Sequence, residues 1–250
     1  MNAVIKTTDL KKHFGDIKAV SGVNNAVRPG EIYGIIGPNG SGKTTYFNLL
    51  SGFFPPTGGR ILFDNTDITG IPAHKRVHLG IIRTFQLVSV FSTLTVLENM
   101  VLPIVRFKKP HSPTQFMLTS AMDQKVVDAC KQSLDTVGLS HKQDQPVSEL
   151  SYGDKRMLEI AMALALEPKL LLLDEPLAGL SDHEIQQILS LIKTLKKQFA
   201  IVIIEHKISK ISGLLNRLGV MNNGRLICEG DPETVLADEK VRECYWGKEE

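Results

Sequence analysis

The sequence predicts an α/β protein in which helices cover a buried parallel β-sheet and a separate helical segment is inserted into the chain. Short apolar runs with strand character alternate with helical segments over most of the 250 residues. Two of these runs, residues 170–173 and 200–204, are apolar at every position, as strands buried on both faces must be. Between about residues 88 and 148 the strand signals stop, and apolar residues recur at helical spacing.

Seven segments have the composition of strands: residues 31–36, 60–63, 80–84, 170–173, 200–204, 218–221 and 225–228. One helix of the inserted segment is predicted from a stripe of apolar positions: Met122, Val126, Val127, Cys130, Leu134 and Val137. We expect a single domain over residues 1–250. Its α/β core consists of residues 1–87 and 168–250, and its helical subdomain covers about residues 88–167.

Composition excludes several classes of protein. The 29 basic and 27 acidic residues give a net charge of +2, so the chain lacks the large basic field of a nucleic-acid-binding protein. Three widely separated cysteines with no CxxC pair argue against a disulfide framework or a zinc site and favour a reducing compartment. The apolar runs are far shorter than the ~20 residues of a membrane span, and the N-terminus does not read as a signal peptide. Any role at a membrane is therefore expected to depend on a partner.

A phosphate-binding loop is the clearest functional signal. Residues 37–45, GPNGSGKTT, fit the pattern G-x-x-x-x-G-K-[ST], follow a predicted strand and lead into a helical pattern. Glycines let main-chain amides approach phosphate oxygens at the positive end of a helix. Lys43 is expected to reach the β and γ phosphates, Thr44 to bind Mg²⁺ and Thr45 to help hold the α phosphate. The nucleotide-binding residues of this loop are Asn39, Gly40, Ser41, Gly42, Lys43, Thr44 and Thr45.

Two carboxylates, Asp174 and Glu175, follow the buried run 170–173, at the edge of the sheet where open α/β folds bind ligands. We expect Asp174 to interact with Mg²⁺ and Glu175 to act as general base for the attacking water. An acidic turn in solvent would have the same sequence, but it would leave the phosphate loop without a reaction.

Further short sequences resemble those of the ATPases of ABC transporters, in that family's order and across nearly the whole chain. Residues 150–154, LSYGD, resemble the signature sequence usually written LSGGQ. Gln86, in RTFQ, resembles the Q-loop glutamine, and His206, in IEH, resembles the switch histidine. Phe14 stands where the family places an aromatic residue that stacks on adenine. Taken alone, Phe14 could be ordinary packing, and His206 could be a structural residue at a strand end.

The resemblance implies a P-loop NTPase core of the ABC type, with a β-rich N-terminal subdomain and an inserted α-helical subdomain that ends in the signature helix. It implies that Lys43, Glu175, His206 and Gln86 carry hydrolysis of ATP. Mg²⁺ would be held by Thr44, Asp174 and Gln86.

The signature sequence implies a partner subunit. Ser151 is the expected N-cap of the helix that follows it. Its hydroxyl and the Gly153 amide would bind the γ-phosphate held by an opposite subunit, so that two ATP molecules lie in a head-to-tail dimer. With one set of sequences, the chain must pair with a copy or a paralogue. Tyr152, Asp154 and Ser181 depart from the family's usual residues, and Ser181 puts communication between the two sites in doubt.

The sequences LSYG, MLEIA, PLAG, IEH and the ending VRECYWG resemble the importer ATPases for branched-chain and related hydrophobic amino acids, or for urea and short amides. The ATPase of lipopolysaccharide export is a closely similar alternative. The implied partners are two integral-membrane permease subunits and, indirectly, an extracytoplasmic solute-binding protein, with no nucleic acid. The chain would lie on the cytoplasmic face of the inner membrane. A non-transport P-loop ATPase or small-molecule kinase is the other alternative, but a kinase would not need residues 150–154.

Overall fold

Two β-sheets and the helices around them make up the part of the chain that the structure, a computed structural model, describes: residues 3–84, 89–107 and 124–246. The larger sheet has six strands in the order β10-β9-β3-β8-β7-β6, and all of its neighbouring pairs are parallel except β9 and β10. Its strands are β3 (Ile32–Ile36), β6 (Ile81–Arg83), β7 (Leu170–Asp174), β8 (Ala200–Ile204), β9 (Arg217–Asn222) and β10 (Arg225–Gly230). The predicted α/β fold with a buried parallel sheet is confirmed.

The smaller sheet is antiparallel, in the order β2-β1-β4-β5. It consists of β1 (Ile5–Phe14), β2 (Ile17–Val27), β4 (Gly58–Phe63) and β5 (Thr66–Asp67). The sequence patterns did not identify β1 and β2, which are rich in lysine, threonine and asparagine and contain register shifts where β1 pairs with its neighbours. These bulges break the strict alternation on which strand prediction depends. Only the family resemblance had implied β structure here.

The helices fall into two groups. Beside the large sheet lie α1 (Lys43–Ser51), α2 (Ala73–Leu79), α6 (Asp182–Leu195), α7 (Ile208–Ile211), α8 (Pro232–Ala237) and α9 (Glu239–Trp246). The inserted segment contributes α3 (Val96–Phe107), α4 (Gln124–Thr136) and α5 (Tyr152–Leu164), which pack on one another. The stripe that predicted α4 is buried at Val126, Val127, Cys130, Leu134 and Val137, whereas Met122 lies outside the described residues. Three single 3-10 turns are Ser140–Lys142, Val147–Glu149 and Ser212–Leu214.

Strands of the large sheet divide their side chains between two cores. Leu171 and Ile203 face the side covered by α5 and α6, whereas Leu172 and Val202 face α1 and the smaller sheet. Because both faces are covered, polar groups of these strands reach solvent only at the strand ends. The carboxyl ends of β3, β7 and β8 therefore form one edge of the sheet at which functional side chains can meet. In the described part of the chain, every helix is too short or too polar to cross a membrane.

Candidate nucleotide-binding and hydrolysis site

The loop between β3 and α1 is held so tightly that glycine is required at two of its positions. Gly37 has φ 154° and Gly42 has φ 101°. A Cβ on Gly37 would lie 2.1 Å from the Met221 carbonyl oxygen, and one on Gly42 would lie 2.2 Å from the Ala19 carbonyl oxygen. With no side chain at Gly42 to cap α1, the first N–H groups of this helix point toward an incoming anion.

The ammonium group of Lys43 folds back over this loop. Its Nζ donates to the carbonyl oxygens of Gly37, at 2.7 Å, and of Pro38, at 3.0 Å. Burial lowers the pKa of the Lys43 ammonium, while the negative charges of Glu175 and Asp174 oppose that shift. The lysine is thus a buried cation beside two carboxylates, held by neutral carbonyl groups that a phosphate could replace.

A cleft of about 400 Å³ lies in front of the loop. Nine of the predicted site residues line it: Asn39, Gly40, Ser41, Gly42, Lys43, Thr44, Thr45, Glu175 and His206. Five further residues line it that the sequence had not indicated: Ile17, Lys18, Ala19, Asn223 and Gly224. The last two form the turn between β9 and β10, where the Gly224 amide donates to the Ser41 carbonyl at 2.9 Å. An Asn-Gly pair between two strand patterns is a hairpin signal, but it cannot show that the turn supports the phosphate loop.

Glu175 and His206 meet at the carboxyl ends of β7 and β8. Glu175 Oε1 lies 3.1 Å from His206 Nε2. Glu175 has a left-handed backbone, φ 49°, which is rare for a residue with a side chain. Its amide donates to the Ile204 carbonyl at 2.9 Å, and its carbonyl accepts from Arg156 Nη2 at 3.1 Å. These bonds fix the carboxylate at the mouth of the cleft, where it can accept a proton from water.

Asp174 lies behind the cleft rather than on its surface. Its Oδ2 accepts from Arg83 Nη2 at 2.7 Å, and Arg83 Nη1 also donates to Asn48 Oδ1 on α1, at 2.6 Å. The described residues contain no cluster of three or more His, Cys, Asp or Glu side chains that could hold a metal ion. Thr44 lines the cleft, and its hydroxyl together with phosphate oxygens of a nucleotide is a donor set that suits Mg²⁺.

The signature residues stand apart from this cleft. Ser151 is the N-cap of α5, as predicted, and its Oγ accepts from the Asp154 amide at 3.0 Å. Tyr152 is exposed, and its ring packs against Gly179. A Cβ added to Gly179 would lie 3.0 Å from the Tyr152 ring. Neither Ser151 nor Gly153 lines the cleft of its own chain. The structure therefore does not bring these two residues together with Lys43.

Phe14 also does not line the cleft. Its ring packs edge to face on Phe54, with 5.5 Å between the centroids, and the Lys12 ammonium lies 5.1 Å from the Phe14 centroid. Ile17, 69% exposed, lies at the cleft instead. The adenine-stacking role of Phe14 stays a prediction, and Gln86 lies outside the described residues.

A glycine-rich phosphate loop at the carboxyl edge of a parallel sheet, with a carboxylate and an imidazole facing it, defines the chain as an α/β P-loop ATPase. Residues 20–178 match the model of the family described as ABC transporter, and the chain belongs to this family as an ATP-binding cassette. The resemblance noted in the sequence is thereby confirmed.

Curated relatives align over almost their whole length. The high-affinity branched-chain amino acid transport ATP-binding protein LivG of Escherichia coli K12 is 35% identical over 250 residues, which cover 98% of each chain. The probable LivG protein of Methanocaldococcus jannaschii is 36% identical over 251 residues, again 98% of each chain.

Solved structures agree with the fold. A nucleotide-free ATP-binding cassette from an ABC transporter superposes with a TM-score of 0.88 at 34% identity, covering 99% of this chain and 100% of that one. The ADP conformation of the cassette MJ1267 gives 0.87 at 35% identity, with the same coverage. The cassette MJ0796, a dimer bound to ADP and phosphate after hydrolysis, gives 0.76 at 25% identity, covering 91% of this chain and 98% of that one.

Proposed function

We propose that this chain hydrolyses ATP in a head-to-tail dimer and so drives the import of branched-chain amino acids, or of related amino acids and amides. The observation that carries the hydrolytic part is the Glu175–His206 pair, 3.1 Å apart at the mouth of the phosphate-loop cleft. A carboxylate needs this placement to accept a proton from water that attacks a γ-phosphate.

Roles for the other residues follow from where they lie. Lys43 would exchange its carbonyl partners for β- and γ-phosphate oxygens, with the loop amides and Thr45 holding the rest of the nucleotide. Thr44, Asp174 and Gln86 would hold Mg²⁺, and the metal would neutralise charge on the phosphates. Phe14 would stack on adenine.

The dimer follows from the separation of the two phosphate-facing regions. Ser151 and Gly153 stand at the N-terminus of α5, where a helix attracts anions, but do not line the cleft of their own chain. In the proposed sandwich they meet the γ-phosphate bound by a second chain, either a copy or a paralogue. The dimeric ADP and phosphate complex of MJ0796 supports this arrangement.

The proposed role in transport across a membrane is supported by the functions named for the curated relatives. LivG proteins are named for branched-chain amino acid transport, and this supports the same solute class here. The partners would be two integral-membrane permease subunits and, through them, an extracytoplasmic solute-binding protein, with no nucleic acid. The chain would then work as a peripheral protein on the cytoplasmic face of the inner membrane. We further propose that residues 1–87 and 168–250 act as the α/β core, and about residues 88–167 as the helical subdomain.

The test replaces the chromosomal copy in the source cells by a Glu175→Gln variant and measures uptake of radiolabelled leucine, isoleucine and valine. We expect uptake to fall to the level of a deletion strain. Glu233→Gln, an exposed glutamate on α8, is the control and should leave uptake unchanged. If Glu175→Gln left leucine uptake unchanged but reduced transport of urea, of a short amide or of lipopolysaccharide, the proposed solute would be wrong and that compound would take its place. If the protein transferred phosphate to a small-molecule acceptor instead of releasing free phosphate, the proposed ATP hydrolysis would be wrong.

A further inference from the structure

We propose that Glu205 is a positioning residue for hydrolysis: its buried carboxylate ties the loop of His206 to the turn that follows Glu175. The inference rests on the proposed function, because it gives His206 and Glu175 their roles there. Glu205 itself does not line the cleft, so it can act on the reaction only through these two residues.

Strand pairing brings the two segments together. β7 and β8 are parallel, with Asp174 opposite Ile204, so Glu175 and Glu205 leave the sheet side by side. Side chains alternate along a strand, and Ile203 faces the core on the side of α5 and α6. Glu205, two residues further on, points to that same side and is only 3% exposed.

All of the carboxylate's described contacts are main-chain N–H groups of the two loops. Oε1 accepts from the Leu177 amide at 2.8 Å. Oε2 accepts from the His206 amide at 3.0 Å and from the Lys207 amide at 3.2 Å. A fourth hydrogen bond also joins the two loops: Lys207 Nζ donates to the Leu177 carbonyl oxygen at 3.4 Å. One side chain thus bonds to the turn after Glu175 with one oxygen and to the His206 loop with the other.

The chemistry requires a carboxylate at this position. A buried charge away from water is costly unless hydrogen bonds satisfy it, and three amide donors do so here. Glutamine has the same shape but only one acceptor oxygen, so its NH₂ group would face either the Leu177 amide or the pair at His206 and Lys207. One of the two loops would lose its anchor, and a buried donor would be left without an acceptor.

The link that Glu205 makes between the two loops matters because the His206 side chain is otherwise held weakly. Its side chain is 42% exposed on a loop, and its ring nitrogen must stay 3.1 Å from the Glu175 carboxylate. A displacement of about 1 Å in a reacting group can cost about 100-fold in rate. Loosening the loop should therefore slow the chemical step and leave the affinity for nucleotide unchanged.

A double-mutant cycle on the full-length chain tests this. We expect Glu205→Gln to lower kcat for ATP hydrolysis by about 10- to 100-fold, with the Kd for a non-hydrolysable ATP analogue within about twofold of wild type. In a His206→Ala background the same substitution should cause a much smaller loss, because only its effect on the turn after Glu175 remains.

Glu31→Gln is the matched control. Glu31 is also buried and also anchors a loop, accepting from the Arg28 amide at 2.7 Å and lying 3.3 Å from Arg217 Nε, but it precedes β3 at the far end of the sheet. Its substitution should reduce thermal stability, and any small effect on kcat should be equal in the wild-type and His206→Ala backgrounds.

One spectroscopic measurement and one further variant complete the test. The ring-proton NMR signals of His206 should shift in Glu205→Gln without nucleotide, and should keep their position in Glu31→Gln. Glu205→Asp, which keeps the charge but is one methylene too short to reach both loops, serves as a second variant.

Three results would overturn the inference. One is an equal loss of kcat from Glu205→Gln with and without His206, and another is loss of the folded state in both Glu205 variants. The third, a wild-type chain that does not hydrolyse ATP or is not slowed by His206→Ala, would refute the proposed function, and the role of Glu205 with it.

Discussion

The phosphate-loop cleft and the signature region of this chain are built in opposite ways. The cleft at Lys43 is assembled from the ends of several strands, with a buried cation, the Glu175 carboxylate and glycines that admit no side chain. The signature region is a single helix end whose capping serine, Ser151, is exposed and bonds only to its own helix among the described contacts. One region gathers the side chains proposed for hydrolysis, whereas the other is a helix N-terminus that does not line that cleft. This difference fits the proposed head-to-tail dimer, in which each signature region completes the site of the other chain.

Arg156 connects the two regions. It lies on α5, one turn beyond Ser151, and is fully buried. Nη1 bonds Glu159 Oε2 at 2.6 Å, and Nη2 donates to the Glu175 carbonyl at 3.1 Å. A movement of the signature helix would therefore be transmitted to the backbone of Glu175. This gives the chain a direct line of contact between the signature helix and the residue proposed as general base.

The largest effect is expected at the phosphate-loop cleft. Glu175→Gln should lower the rate of ATP hydrolysis by about 10²–10⁴-fold, because an amide cannot accept a proton from water. Binding of ATP, measured by fluorescence titration, should be retained, since the phosphate loop is intact. A variant that hydrolyses at the wild-type rate would remove Glu175 from its role.

The largest loss of stability is expected when the buried Arg156–Glu159 pair, which connects the two regions, is broken. Arg156→Met leaves the Glu159 carboxylate buried without its arginine, and should lower the free energy of unfolding by about 3–5 kcal/mol in urea denaturation. Arg156→Met combined with Glu159→Leu should recover most of that loss, because neither charge of this buried pair remains. If the double variant were as unstable as the single one, the ion pair would not explain the cost.

A smaller effect is expected at the signature region. Ser151→Ala should cost about 1 kcal/mol of stability through the lost N-cap, and should lower ATP hydrolysis about tenfold through the lost phosphate contact across the dimer. ATP affinity of the monomer should not change. Asp231→Ala removes the N-cap of α8, a different helix, and controls for stability. Equal ATPase rates for the two variants would mean that Ser151 only caps its helix.

The smallest effect concerns Asp154, which stands where the family usually has glutamine. Burial favours a higher pKa for its carboxyl, but hydrogen bonds from Lys142 and Ser151 outweigh it and hold that pKa below its usual value. A depressed pKa stabilises the fold above the unfolded value of about 4, and this contribution is lost as the pH falls through the folded value.

Asp154→Asn should therefore lower the free energy of unfolding by under about 1 kcal/mol at pH 7, and this loss should shrink as the pH falls through the folded pKa. Lys142→Met should cause a similar loss at pH 7, and the double variant should lose no more than either single change. A loss for Asp154→Asn that stays constant as the folded carboxyl titrates would rule out the ionised pair as its cause.

Sequence patterns predicted what depends on local periodicity and on short fixed spacings. The buried strands β7 and β8, the phosphate loop and the Ser151 N-cap were all readable, because each is encoded within a few neighbouring residues. The interior arginines Arg83 and Arg156 were not, since an arginine normally lies at the surface and only tertiary contacts show otherwise. Glu205 was missed for the same reason. Its role depends on a turn about thirty residues away, which the sheet brings next to it.

The central claim is that two chains complete each other's sites, and light scattering of Glu175→Gln with and without Mg-ATP tests it most directly. We predict a mass of 27.6 kDa without nucleotide and twice that value with Mg-ATP, because bound ATP can no longer be hydrolysed. Adding Ser151→Ala to this variant should reduce the dimer fraction at the same ATP concentration. A protein that binds ATP yet stays at 27.6 kDa would contradict the pairing of two identical chains.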